Sequence, residues 1–330
     1  MKVCILGNAR SGTTAIYSLL QEIMSDHFED VRYAYEPFLW DKSVFNGKFR
    51  DLTDKFQYWD STSVEGIYQH QKLPLFITDA YPDRRNEYLD QVLESGSQDA
   101  NLLAKFIRAN GRIRLLQKAC PDMNYIFVIR NPVDSVNSVL TKFSYFGGEF
   151  HHDDYPRFIA GINVVYGLNF SADQFVTQGE RETLFWYYMN RFALETLSLI
   201  KARFLVVCHQ RYRADPGGVI HEVCDFLNCR PREKYNQTAA QKIGDLTGKM
   251  EISENELNLI LPYWDKYLGL LNDFHIRGGG TLEKILEKYT VTDRLDFRGN
   301  KYYGKIPLIA MHDCLGMQKA NLEKKGDGLC

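Results

Sequence analysis

The 330-residue chain has no apolar stretch that approaches the ~20 residues a membrane-spanning helix needs. Its N-terminus offers one lysine and then only Val3-Cys4-Ile5-Leu6 before Gly7, too short a core for a secretory leader. These two absences set the expectation of a soluble, cytoplasmic protein. Charge of neither sign dominates: 40 Lys+Arg stand against 42 Asp+Glu, for a formal net charge of −2. Bulk electrostatics therefore gives no reason to expect nucleic-acid binding, and any polyanion has to be met by a local cluster of cations. The seven cysteines are odd in number and contain no C-x-x-C pair. Cys4, Cys120 and Cys208 lie in or beside apolar runs and read as buried thiols in a reducing compartment. No internal repeat or low-complexity linker divides the chain. What is present is enough for a sizeable core, with 45% hydrophobic and 13% aromatic residues.

Continuous apolar runs bounded by turn signals recur at 2–7, 31–35, 102–107, 124–129 and 203–208. Continuity rather than alternation marks strands buried on both faces of a parallel sheet. Helical periodicity lies between them, at about 13–24, 110–119, 132–142, 181–201 and 216–228, with a further amphipathic helix at 253–273. Strand–helix alternation of this kind predicts an α/β fold, a P-loop-like doubly wound parallel sheet flanked by helices. Segments 41–100 and 143–180 are poorly periodic and read as helical or loop insertions over the carboxyl edge. Gly278-Gly279-Gly280 reads as a hinge. The expected organisation is one catalytic domain over 1–314, with a polar tail over 315–330.

The sharpest local pattern is Gly7-Asn8-Ala9-Arg10-Ser11-Gly12-Thr13-Thr14, between the first strand and the first helix. A glycine-hinged turn opening into a helix N-terminus is an anion cradle, since free backbone N–H groups and the helix dipole face the same point. The spacing is that of a Walker A loop, but Thr13 stands where the lysine should follow Gly12. Arg10 supplies a cation instead. The loop can hold a phosphate-like group, yet it lacks the part that grips the β- and γ-phosphates of ATP with magnesium. A second stretch, Arg130-Asn131-Pro132-Val133-Asp134-Ser135-Val136-Asn137-Ser138, follows a strand and begins a helix at Pro132. An arginine fork and a hydroxyl suit a second, separate phosphate, while a capping or salt-bridge arginine is the competing reading.

Taken together, R-S-G-T-T and, about 120 residues on, R-N-P-x-x-x-x-x-S resemble the sulfotransferases that use 3′-phosphoadenosine-5′-phosphosulfate. The resemblance implies that Arg10, Ser11, Gly12, Thr13 and Thr14 cradle the donor's 5′ end and that Arg130 and Ser138 grip its 3′-phosphate. It also accounts for the missing Walker lysine, because this donor has no triphosphate chain. Arg10 is similar to the carbohydrate and bacterial branches, whereas the cytosolic branch carries a lysine in this loop. The strand and helix over Phe204–Asn228 also resemble the family, although Gln210-Arg211 replaces its usual acidic pair. Tyr35-Glu36-Pro37 resembles the Glu-Pro segment of carbohydrate sulfotransferases and makes Glu36 the expected catalytic base, alongside Arg10 as the catalytic cation. No metal is expected.

Weaker candidates surround these. Lys105, Arg108, Arg112, Arg114 and Lys118 could offset donor charge or bind an anionic acceptor, but a solvated helix face is the plainer reading for the group, with Lys105 and Arg108 the better candidates because they lie at the strand's end. His151-His152-Asp153-Asp154 lacks a third ligand at metal spacing, leaving His152 as a weak alternative base. Trp186-Tyr187-Tyr188 reads as core packing. The stretch from Phe297 to Lys305, with Arg298-Gly299, partly resembles a C-terminal loop that closes on the 3′-phosphate. The expectation is a sulfotransferase acting on the hydroxyl of a carbohydrate, glycolipid or small metabolite. A P-loop kinase-like phosphotransferase and a non-catalytic nucleotide sensor are the alternatives.

Overall fold

Val3, Cys4, Ile5 and Leu6 are all fully buried, as an unbroken apolar strand must be if both of its faces are covered. They form strand β1 (Lys2–Leu6). Cys4 and Leu6 enter one core while Val3 and Ile5 enter the other. The computed structural model describes residues 1–35, 75–79, 93, 101–107, 109–142, 154–243 and 250–292. In it β1 pairs in parallel with β3 (Asn101–Phe106) and β4 (Asn124–Ile129). The edges are β2 (Val31–Tyr35) beyond β3 and β5 (Phe204–Cys208) beyond β4. The order is β2-β3-β1-β4-β5. All five strands point the same way, so their carboxyl ends share one edge.

Helices cover both faces, as the sequence predicts. On one side α1 (Thr13–His27) meets α7 (Pro216–Leu227) and α8 (Glu233–Ile243) through residues such as Leu19, Ile23, Val223 and Tyr235. On the other, α2 (Ile113–Ala119), α3 (Pro132–Lys142) and α5 (Gln178–Leu199) pack through Leu116, Val136 and Leu194. The short α6 (His209–Ala214) leads directly out of β5. Each large side chain fully buried in these layers contributes roughly 1.5–3 kcal/mol.

Two expectations need correction and one is filled in. The helix expected over 253–273 is two helices, α9 (Glu254–Ile260) and α10 (Pro262–Asp273), because Pro262 cannot donate a backbone hydrogen bond and instead opens the second helix. Segment 143–180 contains a regular helix, α4 (Asp154–Tyr166). Its Tyr155, Phe158, Ile159 and Ile162 recur at helical spacing and pack against Leu184 and Phe192 of α5. Finally, β6 (Met250–Ser253) and β7 (Tyr289–Thr292) form a separate two-stranded parallel sheet that the sequence reading lacked. Between them lies α11 (Leu282–Leu286).

Candidate functional site

The turn after β1 is set by its glycines. Gly7 and Gly12 have φ of 155° and 98°. A Cβ at Gly12 would meet His209 Cδ2 at 2.3 Å, and one at Gly7 would meet the Val128 carbonyl oxygen at 2.6 Å, so neither position has room for a side chain. Arg10 itself is left-handed at φ 66°, a conformation that costs a non-glycine residue about 1–2 kcal/mol. α1 then begins at Thr13 with no side chain capping its first turn, which leaves its positive end open to the crevice. Asn8 anchors the turn from below. Its Oδ1 accepts from Asn110 Nδ2 at 2.7 Å and its Nδ2 donates to the Trp186 carbonyl at 3.4 Å. Ser11 is buried, and its hydroxyl has no hydrogen-bond partner among the described residues.

The second motif leaves the adjacent strand. Asn131 caps α3: its Oδ1 accepts from Asp134 N at 2.8 Å while its Nδ2 donates to Asp134 Oδ2 at 3.0 Å. Pro132 occupies the first helical position, as expected. Arg130 is 8% exposed and its Nη1 donates to the Arg10 carbonyl at 3.0 Å. Ser138 points back to the first loop, and its Oγ accepts from Arg10 Nε at 3.1 Å. The two motifs are thereby joined twice, side chain to side chain through Arg10 and Ser138 and side chain to backbone through Arg130 and the Arg10 carbonyl. Trp186 is core, as read, and its indole Nε1 also donates to the Arg130 carbonyl at 3.1 Å.

Asp134 balances this cluster. It is 1% exposed, accepts from Tyr289 Oη at 2.7 Å, and lies 3.7 Å from both Arg130 Nη2 and Lys288 Nζ. Burial pushes its carboxyl up, but Arg130, Lys288 and the hydrogen bonds from Tyr289 and Asn131 together hold it below the ordinary value. Burial, then Arg213 and Arg10, pull Arg130 down, and Asp134 opposes them. His209 follows β5 and lies against Gly12. Burial first and then Arg130 push its pKa down to about 3, so the imidazole is neutral at ordinary pH.

On the other side of β1, Lys105 at the end of β3 is 1% exposed. Its Nζ donates to Thr14 Oγ1 at 2.9 Å and stands 4.2 Å from the centre of the Tyr35 ring. Tyr35 Oη lies 3.3 Å from the same Thr14 hydroxyl. The ammonium that the loop lacks at position 13 therefore arrives from a neighbouring strand. Beside Asn8 and Ala9, a recess of about 230 Å³, counting the solvent at its mouth, is walled by Val139, Phe185 and Trp186.

Sheet topology thus gathers Arg10, Ser11, Gly12, Thr13, Thr14, Arg130 and Ser138 at one edge. Glu36, Arg108, His151, His152 and Arg298-Gly299 lie outside the described residues. The solvated-face reading fails for Lys105 and Arg112, both buried, and Arg114 pairs with Asp79. Sequence reasoning missed Asp134, His209, Arg213 and Lys288. His209 and Arg213 could have been found, since they lie four apart just past a recognised strand; Lys288 carries no local signal. Among the described residues no cluster of metal-ligating side chains occurs, and no helix is long and apolar enough to cross a membrane.

A glycine-turned loop feeding an uncapped helix at the carboxyl edge of a parallel sheet, faced by an arginine–serine element, defines a P-loop-like anion-binding enzyme fold. The chain belongs to the sulfotransferase family, whose model matches residues 2–233. Among solved structures it is similar to a sulfotransferase from Mycobacterium avium, with 16% identity and a TM-score of 0.46, over 85% of this chain and 78% of that one. A sulfotransferase domain from the curacin biosynthetic pathway gives 17% identity and a TM-score of 0.38, over 72% and 77% of the two chains. A mouse sulfotransferase solved in complex with PAP gives 11% and 0.38, over 74% and 64%. No curated protein sequence matches the chain.

Proposed function

We propose that the chain transfers a sulfuryl group from 3′-phosphoadenosine-5′-phosphosulfate to the hydroxyl of a carbohydrate, glycolipid or small-metabolite acceptor, with residues 1–314 as one catalytic unit. The observation that carries this reading is the joining of the two phosphate motifs, Arg10 to Ser138 and Arg130 to the Arg10 carbonyl, at a loop without the triphosphate-binding lysine. The residues fit such a donor. Ser11 Oγ and Arg130 Nε are buried with no hydrogen-bond partner among the described residues, and the uncapped α1 adds backbone donors. Arg10, Ser11, Gly12, Thr13 and Thr14 would hold the 5′ end, and Arg130 and Ser138 the 3′-phosphate.

When bound, the donor supplies an activated sulfuryl group on a phosphate leaving group. The α1 N–H groups, Arg10 and Lys105 stabilise the negative charge that develops on the bridging oxygen, a contribution of position and fixed dipoles. Glu36, next after Tyr35 at the end of β2, takes the proton of the acceptor hydroxyl. No step is assigned to a metal ion or to a covalent intermediate.

A panel of sugar, glycolipid and small alcohols, incubated with the sulfate donor and with chelator present, tests the reading. The expected result is acceptor-dependent release of 3′-phosphoadenosine-5′-phosphate with a sulfated product. A phosphorylated product that requires magnesium–ATP would return the chain to the kinases. Equal binding of donor and product without turnover would mark it as a sensor.

A further inference from the structure

Cations outnumber anions at the end of β4. Ile129 pairs with Cys208, so Arg130 and His209 leave neighbouring strands at the same level. Arg213 stands four residues beyond His209 on α6, on the same helical face. Lys288, immediately before β7, lies 3.7 Å from Asp134 Oδ2, the same oxygen that Arg130 Nη2 approaches. These groups feel one another: Arg213 depresses Arg130, His209 and Lys288, and Arg10 adds to the effect on Arg130. Against Arg10, Arg130, Arg213 and Lys288 stands one carboxylate, Asp134, whose other neighbour Tyr289 carries no charge. Among the described residues no second acid pairs with the group.

Hydrogen bonding is unbalanced at the same place. Arg213 Nη1, Arg130 Nε and His209 Nδ1 are all buried, with no hydrogen-bond partner among the described residues. Buried guanidinium N–H groups are ordinarily satisfied. Donors left open beside an excess of about three positive charges call for a multiply charged anion.

We propose that Arg213, assisted by Lys288, binds the donor's 3′-phosphate together with Arg130 and makes the site selective for that phosphate. The inference rests on the donor assignment above. Topology decides which end of the donor these residues serve. β1 lies between β3, which delivers Lys105 to Thr14, and β4, which delivers Arg130. Arg213 and Lys288 gather on the Arg130 side, away from the Lys105–Thr14 end. His209, kept neutral and packed on Gly12, spaces α6 from the loop without adding charge. Lys288 lies beyond the segment matched by the family model, 2–233, so the C-terminal part of the chain contributes to the nucleotide site. Tyr289, held to Asp134, fixes it there.

The test compares 3′-phosphoadenosine-5′-phosphate with adenosine 5′-monophosphate, which differs only by the 3′-phosphate, in calorimetric titrations of the full chain. The wild type is expected to prefer the first by about 100-fold or more. In Arg213→Gln, which keeps most of the side chain's bulk, that affinity falls about tenfold or more while the monophosphate binds as before. Lys288→Met loses less, and Arg213→Lys regains part of the loss. Unchanged monophosphate binding certifies that each variant is folded. Unaltered preference in Arg213→Gln, or parallel loss of both ligands, overturns the role given to Arg213 and leaves the donor assignment standing. A wild type that does not distinguish the two ligands overturns the donor assignment itself, and this inference with it.

Discussion

The two ends of the crevice are built from different materials. The loop after β1 offers mainly backbone N–H donors, small hydroxyls and glycines, drawn tight against His209 and the Val128 carbonyl, with Arg10 in the loop and Lys105 against Thr14 as its cations. After β4 they are long cationic side chains arranged around one buried carboxylate, Asp134. A backbone cradle cannot be removed by trimming side chains, but it is destroyed by adding a methyl group to the wrong glycine. A side-chain cluster can be dismantled one charge at a time. On the proposed donor assignment, the first kind of site would fix where the reacting group lies, while the second would set which nucleotide is accepted.

Substitutions separate these roles. Arg10 belongs to both ends, donating to Ser138 while its carbonyl receives Arg130, so Arg10→Ala should have the largest effect. Steady-state turnover is expected to fall by about 10³-fold or more; retained turnover would remove Arg10 from the chemistry. Glu36→Gln should lower kcat by about 10²-fold or more with donor affinity unchanged, and an undiminished kcat would exclude Glu36 as the base. Arg130→Ala should raise the donor KM by about 10- to 100-fold and leave kcat nearly intact, because a charged contact that binds ground and transition state alike is lost. A drop confined to kcat would move Arg130 to the reacting end.

Gly12→Ala places a Cβ against the His209 ring at a φ of 98°, and about 1–3 kcal/mol of stability should be lost with donor affinity. Adding His209→Ala should restore part of the loss, which a thermal-unfolding double-mutant cycle would read as non-additivity. The same ring can be read through pH. The folded His209 titrates at about 3 against an ordinary 6.5, so below 6.5 the unfolded chain binds a proton that the folded chain refuses. The wild type should lose stability as pH falls from about 6.5 toward 3, and His209→Gln should lose less over that window. Parallel acid profiles would show that the ring is not held neutral.

Much of this was legible from local chemistry. Val3–Leu6 had no polar position and had to be a strand with both faces covered. The Gly7–Gly12 spacing announced the turn, and Pro132 after Arg130 announced the start of α3. The reading failed where tertiary partners decide the outcome. Pro262 splits a helix that its amphipathic pattern would continue. The β6–β7 pair joins two four-residue strands from distant parts of the chain, each too short to carry a pattern. Lys105 and Arg112 belong to a basic stretch that looks solvated until the sheet buries them. Asp134 was read only as one letter of a motif, because its partners Tyr289 and Lys288 are far away in sequence.

The central claim is that this loop, without its Walker lysine, serves a 3′-phosphorylated sulfate donor. Calorimetric titration with 3′-phosphoadenosine-5′-phosphate, with magnesium–ATP in parallel, tests it most directly. The account predicts micromolar binding of the first, weak binding of ATP, and loss of the former in Arg130→Ala. Tight magnesium–ATP binding with no preference for a 3′-phosphate would contradict it.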